Sequence, residues 1–214
     1  MKWGGVRVSV INQLALLSEQ LGALSESYDK QRPSRELIEP YEAVLVQLDS
    51  IYLQLQQGVA ASQKLELAEA LELYAENISQ LACLYRQFYQ PHNVVTIAKR
   101  IVSLSSIPVL PDCFSHLYLT LLECFSSVHE LNSWEFDLEP LSQQMLAFTE
   151  AGYQKTPQLW SEAYAWNLAT LSFCITEQSR ESLQRHYYQQ SFSIFEQYNL
   201  TIPKIWQQEY LRFL

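Results

Sequence analysis

The chain has 214 residues, 48% of them apolar and 17% charged, which excludes a disordered chain and gives enough length to bury a core without a metal or disulfide. Only five glycines and eight prolines occur, too few turn residues for a sandwich or barrel of short strands and suited to long helices. A net charge of −9 with no basic run argues against nucleic-acid binding and against docking on an anionic membrane.

Cys83, Cys113, Cys124 and Cys174 are far apart with no CxxC spacing, which reads as buried reduced thiols and a cytoplasmic setting. No apolar run reaches the ~18 residues that span a bilayer. The start Met1-Lys2-Trp3-Gly4-Gly5-Val6-Arg7 imitates a signal peptide, but Asn12, Gln13, Ser18, Glu19 and Gln20 interrupt the apolar stretch that should follow. Asn77-Ile78-Ser79 and Asn199-Leu200-Thr201 match the glycosylation triplet, which means little without export.

The first helix is expected over 8–29, striped by Val10, Leu14, Leu17, Leu21, Leu24 and Tyr28 at steps of four and three. Pro33 breaks it and Ser34 can cap the next, expected over 35–57 with Leu37, Tyr41, Val44, Leu48, Ile51 and Leu55 as its stripe. After Gly58 to Ser62 a third is expected over 63–89, with Leu67, Leu71, Tyr74, Ile78, Leu81, Tyr85 and Phe88 in the same rhythm. Such helices with short connections should pack antiparallel.

A fourth helix is expected over 93–105, before the connector Ser106 to Pro111. The fifth covers 112–131, with Asp112 at its positive end and Phe114, Tyr118, Leu121, Phe125 and Val128 as its stripe. Helices over 138–153, 158–177 and 180–198 follow, and a short terminal helix over 205–213 caps the chain. The expected fold is therefore all-α: about eight helices as antiparallel hairpins, stacked as an α-solenoid or closed as a long-helix bundle, plus the C-terminal cap. One helical domain over 1–214 is expected, heptad-patterned over 8–105 and aromatic-rich over 111–214.

The breaks at Gly58 to Ser62, Ser106 to Pro111, Lys155 to Pro157 and Thr201 to Pro203 recur roughly every 46 to 49 residues, the mark of a repeated two-helix unit. Ile78, Leu81, Ala82 and Tyr85, and again Trp166, Ala169, Thr170 and Phe173, are spaced like the first helix of a tetratricopeptide repeat. Ser191, Phe195, Tyr198 and Pro203 have the spacing of that repeat's second helix. The last 140 residues or so thus resemble tetratricopeptide-like helical repeats in architecture. The units here are about a dozen residues longer than that family's 34, and Tyr198 stands where the family has a small residue. The resemblance implies a scaffold that binds peptides or proteins in a concave groove, and it carries over no catalytic residue.

Chemistry is sparse. The adjacent pair Gly4-Gly5 makes no phosphate-binding loop, so no nucleotide cofactor is expected. Cys113, His116, Cys124 and His129 share one helix, but a zinc site needs a second contributing element, and core cysteines with part-exposed histidines are the plainer reading. His129-Glu130 is not followed by the second histidine of a zinc protease, and no glycine-flanked nucleophile occurs. Neither metal, cofactor nor catalytic residue is expected, and the chain reads as a non-enzyme.

Two features stand out. Between Arg100 and Lys155 there is no Lys or Arg, whereas Asp112, Glu123, Glu130, Glu135, Asp137, Glu139 and Glu150 all fall there. Glu130 to Glu139, with Trp134 and Phe136 interleaved, forms an acidic, aromatic stretch that suits a basic segment of a protein partner. Its plainer reading is a solvated turn anchored by its rings. From Trp160 onward aromatics are also dense, and Tyr187, Trp206 and Tyr210 are offered as partner anchors, the alternative being core. The expected function is a non-enzymatic adaptor or scaffold. A cytosolic chaperone for a secreted or aggregation-prone client and an α-helical enzyme with a dispersed site are the alternatives. The apolar stripe of the first two helices also allows a homodimer.

Overall fold

The computed structural model describes residues 3–31, 33–57, 64–103, 112–132, 138–175 and 178–213. Among these there are nine α-helices and no strand. They are α1 (Trp3–Gln31), α2 (Ile38–Gln57), α3 (Lys64–Gln87), α4 (Pro91–Ser103), α5 (Phe114–Asn132), α6 (Glu139–Lys155), α7 (Pro157–Cys174), α8 (Glu181–Gln197) and α9 (Lys204–Phe213). The all-α reading holds, as does the packing of successive helices. The chain forms two compact units, 1–90 and 91–214, so the compositional change read at 105–111 lies inside the second.

In the first unit α2 and α3 run antiparallel: Tyr74 donates to Asp49 (2.7 Å), while Tyr85 donates to Glu42 (2.5 Å). Asn77, wholly buried, donates to the Tyr41 carbonyl (3.1 Å) and fixes their register. All six residues of that expected stripe are buried, Leu37 just before α2 and the other five on it, as are Leu71, Tyr74, Ile78, Leu81 and Tyr85 of α3, which packs on α2. Burial pushes the Tyr74 hydroxyl well above its ordinary range, and the Tyr52 hydroxyl adds to it. Helix α1 lies on this pair through a narrow stripe, Val10, Leu14, Leu17 and Leu21, with Ser25 donating to Glu76 of α3 (3.2 Å).

Helix α3 ends two residues before the expected Tyr89. Tyr89 takes a left-handed backbone (φ 55°), and the Gln90 N–H turns back to the Tyr85 carbonyl (2.8 Å), closing the last turn. Asn199 (φ 52°) and the Leu200 N–H, bound to the Phe195 carbonyl (2.8 Å), end α8 in the same way.

Helix α7 organises the second unit. It is buried at every position from Trp160 to Ser172 except Glu162, and packs against α5, α6 and α8. Helix α5 lies mainly on α7, two elements ahead, because a helix apolar on all sides needs a neighbour on each. Helix α4 packs on α5 and α6, and α9 on α8.

Candidate interaction site

The polar residues of α7 set the geometry of its neighbours. With its amide turned to satisfy both ends, Asn167 donates to the Ser142 carbonyl (3.2 Å) and accepts from the Leu146 N–H (2.8 Å) and the Thr149 hydroxyl (3.2 Å) of α6. On the other side, Ser191 of α8 donates to the Ala165 carbonyl (2.7 Å), and Ser172 donates to the Gln184 carbonyl (2.6 Å). Gln184 returns its amide to the carbonyls of Ser172 (3.2 Å) and Ile175 (3.0 Å), capping the last turn of α7. That cap ends α7 at Cys174, short of the Glu177 that apolar spacing suggests. Bonds between helix backbones and buried side chains fix register, since sliding would leave each group unsatisfied.

Rings fill the space between α7, α8 and α9. Trp206 meets Trp166 (6.2 Å), Phe173 (5.5 Å) and Tyr188 (6.3 Å), measured between ring centres, and Tyr188 stacks on Phe192 (5.6 Å). Trp206 is 1% exposed, so it is the core ring that fastens α9 rather than an anchor offered to a partner. Tyr210 is half-buried, with its ring edge-on to Phe192 (5.0 Å) and its hydroxyl donating to Glu196 (2.6 Å). That hydrogen bond raises the Tyr210 hydroxyl above its ordinary range. Tyr187 is half-buried on α8, 6.0 Å from the His186 ring.

A second tyrosine group joins the last turn of α6, the middle of α7 and the end of α8. Tyr153 stacks on Tyr164 (5.0 Å) and meets Tyr198 edge-on (6.0 Å). Its hydrogen bond with Tyr198 pushes the Tyr153 hydroxyl up to about 12. Tyr164 is raised by burial first, then by the charge of Glu150 and by Tyr187. Tyr153, Tyr187 and Tyr198 are half-buried, whereas Tyr164 is buried, and Glu150 and Glu196 are exposed. No local spacing in the sequence joins Tyr153, Tyr164 and Tyr198 as a group. The short link Thr156-Pro157 between α6 and α7, which folds Tyr153 back toward Tyr164, is the signal that could have joined two of them.

The acidic stretch is placed only in part. Trp134, Glu135, Phe136 and Asp137 lie outside the described residues, and Glu130 is described only as a backbone position of α5. Glu139 is held by Arg180 through two contacts (2.9 and 2.5 Å) and accepts from Gln143 (2.9 Å), so its charge is largely matched within the fold. Between α5 and α7, Glu162 is raised by burial first and by Glu123 second, with His116 pulling the other way. Of the cysteines Cys124 alone is buried; Cys83, Cys113 and Cys174 are half-buried, and Cys113 lies in the turn before α5 rather than on the helix with Cys124. Among the described residues no three metal-ligating side chains converge, and no helix is long and apolar enough to cross a membrane.

No family model, no curated protein and no solved structure matches this chain.

Proposed function

We propose that the chain is a non-enzymatic adaptor or scaffold module that grips a protein partner through the tyrosine-rich, acidic surface of its second unit, in a reducing cytoplasmic setting. The observation that carries this reading is the set of half-buried tyrosines, Tyr153, Tyr187, Tyr198 and Tyr210, resting on a base of fully packed rings beside exposed Glu150 and Glu196. Rings held this way lose little rotamer entropy on binding and offer rigid, amphipathic contact area, which is why tyrosine is favoured at binding hot spots. Arginine fits such a surface best: its planar guanidinium can stack on a ring and pair with a carboxylate. The antiparallel α7–α8 pair, closed where Ser191 meets Ala165, is also compatible with the tetratricopeptide-like resemblance.

The test is capture from the source cells with the wild-type chain, side by side with a Tyr187→Ser/Tyr210→Ser variant and a Glu150→Lys/Glu196→Lys variant. One partner, retained by the wild type and lost from both variants, with helicity and melting temperature preserved, is the expected result. Equal retention by all three chains overturns the reading.

A further inference from the structure

On α6, Glu150 and Tyr153 are three residues apart, and on α8, Tyr187 and Tyr198 are eleven apart. At about 100° per residue each pair falls within about 60° of one helix face. Between the two pairs lies Tyr164 of α7. Its ring stacks on Tyr153 (5.0 Å), and Ser191, one turn on from Tyr187, donates to the neighbouring Ala165 carbonyl (2.7 Å). Tyr164 is 8% exposed, yet its hydroxyl makes no hydrogen bond among the described residues. The Glu150 carboxylate and the Tyr187 hydroxyl stand near enough to act on it by charge, and neither bonds it. The Tyr153 and Tyr198 hydroxyls, by contrast, satisfy one another. A polar group this far buried is ordinarily paired, so the open valence of Tyr164 calls for an occupant. Lys155 and Arg185, the Lys and Arg of α6 and α8, are each two residues from Tyr153 or Tyr187. They therefore point about 200° away round their helices, and Arg185 is bound to Glu181 (3.3 Å).

We propose that these groups form a subsite for one arginine side chain of the protein partner, with the Tyr164 oxygen at its floor, Glu150 and Tyr153 on one wall and Tyr187 and Tyr198 on the other. The inference rests on the reading of this surface as the partner-binding one, and it names the group that is read. A guanidinium has several donors in one plane, so it can donate to the Tyr164 oxygen and to the Glu150 carboxylate together while its plane lies against a phenol ring. Lysine is the poorer occupant: its ammonium is compact and strongly hydrated, and it has no plane to stack. A phosphate or carboxylate meets Glu150 and finds no cation turned toward it. An apolar side chain leaves the Tyr164 hydroxyl unpaired. The rings are set before binding, by the Tyr153–Tyr198 hydrogen bond and the stacking of Tyr153 on Tyr164, so the ordering that binding requires falls on the partner alone.

The test is a titration of the full chain, labelled with ¹³C in its tyrosine rings, with acetyl-arginine amide and, separately, acetyl-lysine amide, followed by nuclear magnetic resonance. Acetyl-arginine amide should shift the Tyr153, Tyr164 and Tyr187 ring signals saturably, and the lysine compound should bind at least about threefold more weakly. Tyr164→Phe removes one oxygen and should weaken acetyl-arginine amide by at least about fivefold. Its melting temperature should be unchanged or higher, because that oxygen bonds nothing in the folded chain, whereas a merely structural hydroxyl would lower it on removal. Should Tyr164→Phe disturb folding, Glu150→Gln, at an exposed position, should weaken binding in the same direction. Equal binding by wild type, Tyr164→Phe and Glu150→Gln, or lysine bound as well as arginine, overturns the proposal. So does free arginine bound more tightly than its capped form, which would make this a small-molecule site. A partner captured as usual by Tyr164→Phe and Glu150→Gln but lost from Tyr187→Ser/Tyr210→Ser overturns the arginine subsite and leaves the partner surface standing.

Discussion

The Asn167 side chain on α7 accepts the backbone N–H of Leu146 on α6 at 2.8 Å and donates to Ser142 one turn earlier. A wholly buried side chain is thus hydrogen-bonded to the backbone of a neighbouring helix, and the register of α6 on α7 depends on it. Replacing it with Ala leaves a cavity and removes the bonds to Ser142 and Leu146, while the Thr149 hydroxyl keeps the Met145 and Leu146 carbonyls (3.3 and 3.2 Å). Asn167→Ala should destabilise the fold by about 2–3 kcal/mol. Asn167→Leu should cost a similar amount, since it fills the space but brings no hydrogen bond. Urea unfolding followed by circular dichroism measures both, and a loss below half of that would show that α6 keeps its place without the amide.

Gly152 sits where α6 turns toward α7, and a Cβ there would stand 2.2, 2.5 and 2.7 Å from three carbons of the Trp160 indole. The ring cannot give way easily, since it is 1% exposed and lies 6.1 Å from Tyr118 of α5, centre to centre. Gly152→Ala should therefore destabilise by about 3 kcal/mol, the upper end of overpacking, despite the better helix propensity of Ala. Gly22 gives the matched control: nothing stands within 4 Å of a Cβ built there, so Gly22→Ala should be neutral or stabilising by up to about 1 kcal/mol. Equal melting temperatures for the two variants would contradict the packing.

These relationships mark where sequence reading stops. The α2 stripe from Leu37 to Leu55 was legible because that helix buries one face only and leaves Val46, Gln47 and Leu53 outside, so the 3.6-residue period survives. Helix α7 is buried all round, and its composition marks it as apolar without showing which residue faces α5, α6 or α8. Tyr187, Trp206 and Tyr210 look alike as aromatic residues near the end of the chain. Only the fold separates the packed indole of Trp206 from the half-buried phenols. The Glu139 partner, Arg180, is 41 residues away, and no local pattern joins them.

That pair has a consequence for any search for acidic binding residues. The Arg180 and Glu139 side chains are 30% and 20% exposed, and their two-pronged contact joins the start of α6 to the entry of α8. Glu139→Lys should cost about 1–2 kcal/mol by placing two cations together, and Glu139→Lys/Arg180→Glu should recover most of it. A double-mutant cycle in urea measures the coupling, which should fall by less than half in high salt because the pair is partly sheltered. Loss of a partner in Glu139→Lys that returns in the swapped double variant would then report the fold rather than a contact.

Glu162 gives the pH dependence. Its carboxyl is raised above the ordinary glutamate range by burial first, then by the nearby charge of Glu123, while His116 opposes the shift. A raised carboxyl binds its proton more tightly folded than unfolded, so its contribution to stability is fully present below the ordinary glutamate value. It is lost as pH rises through the raised folded value. Above that raised value the group is ionised and unfavourable, and there Glu162→Gln, which keeps shape but removes the charge, should raise the melting temperature. On acidification the gap between variant and wild type should narrow, since the wild-type carboxyl becomes neutral too. Glu123→Gln should act in the same direction but more weakly, because it removes the second cause and leaves the burial. A gap that stays constant from neutral to mildly acid pH would show that Glu162 does not titrate differently in the folded chain.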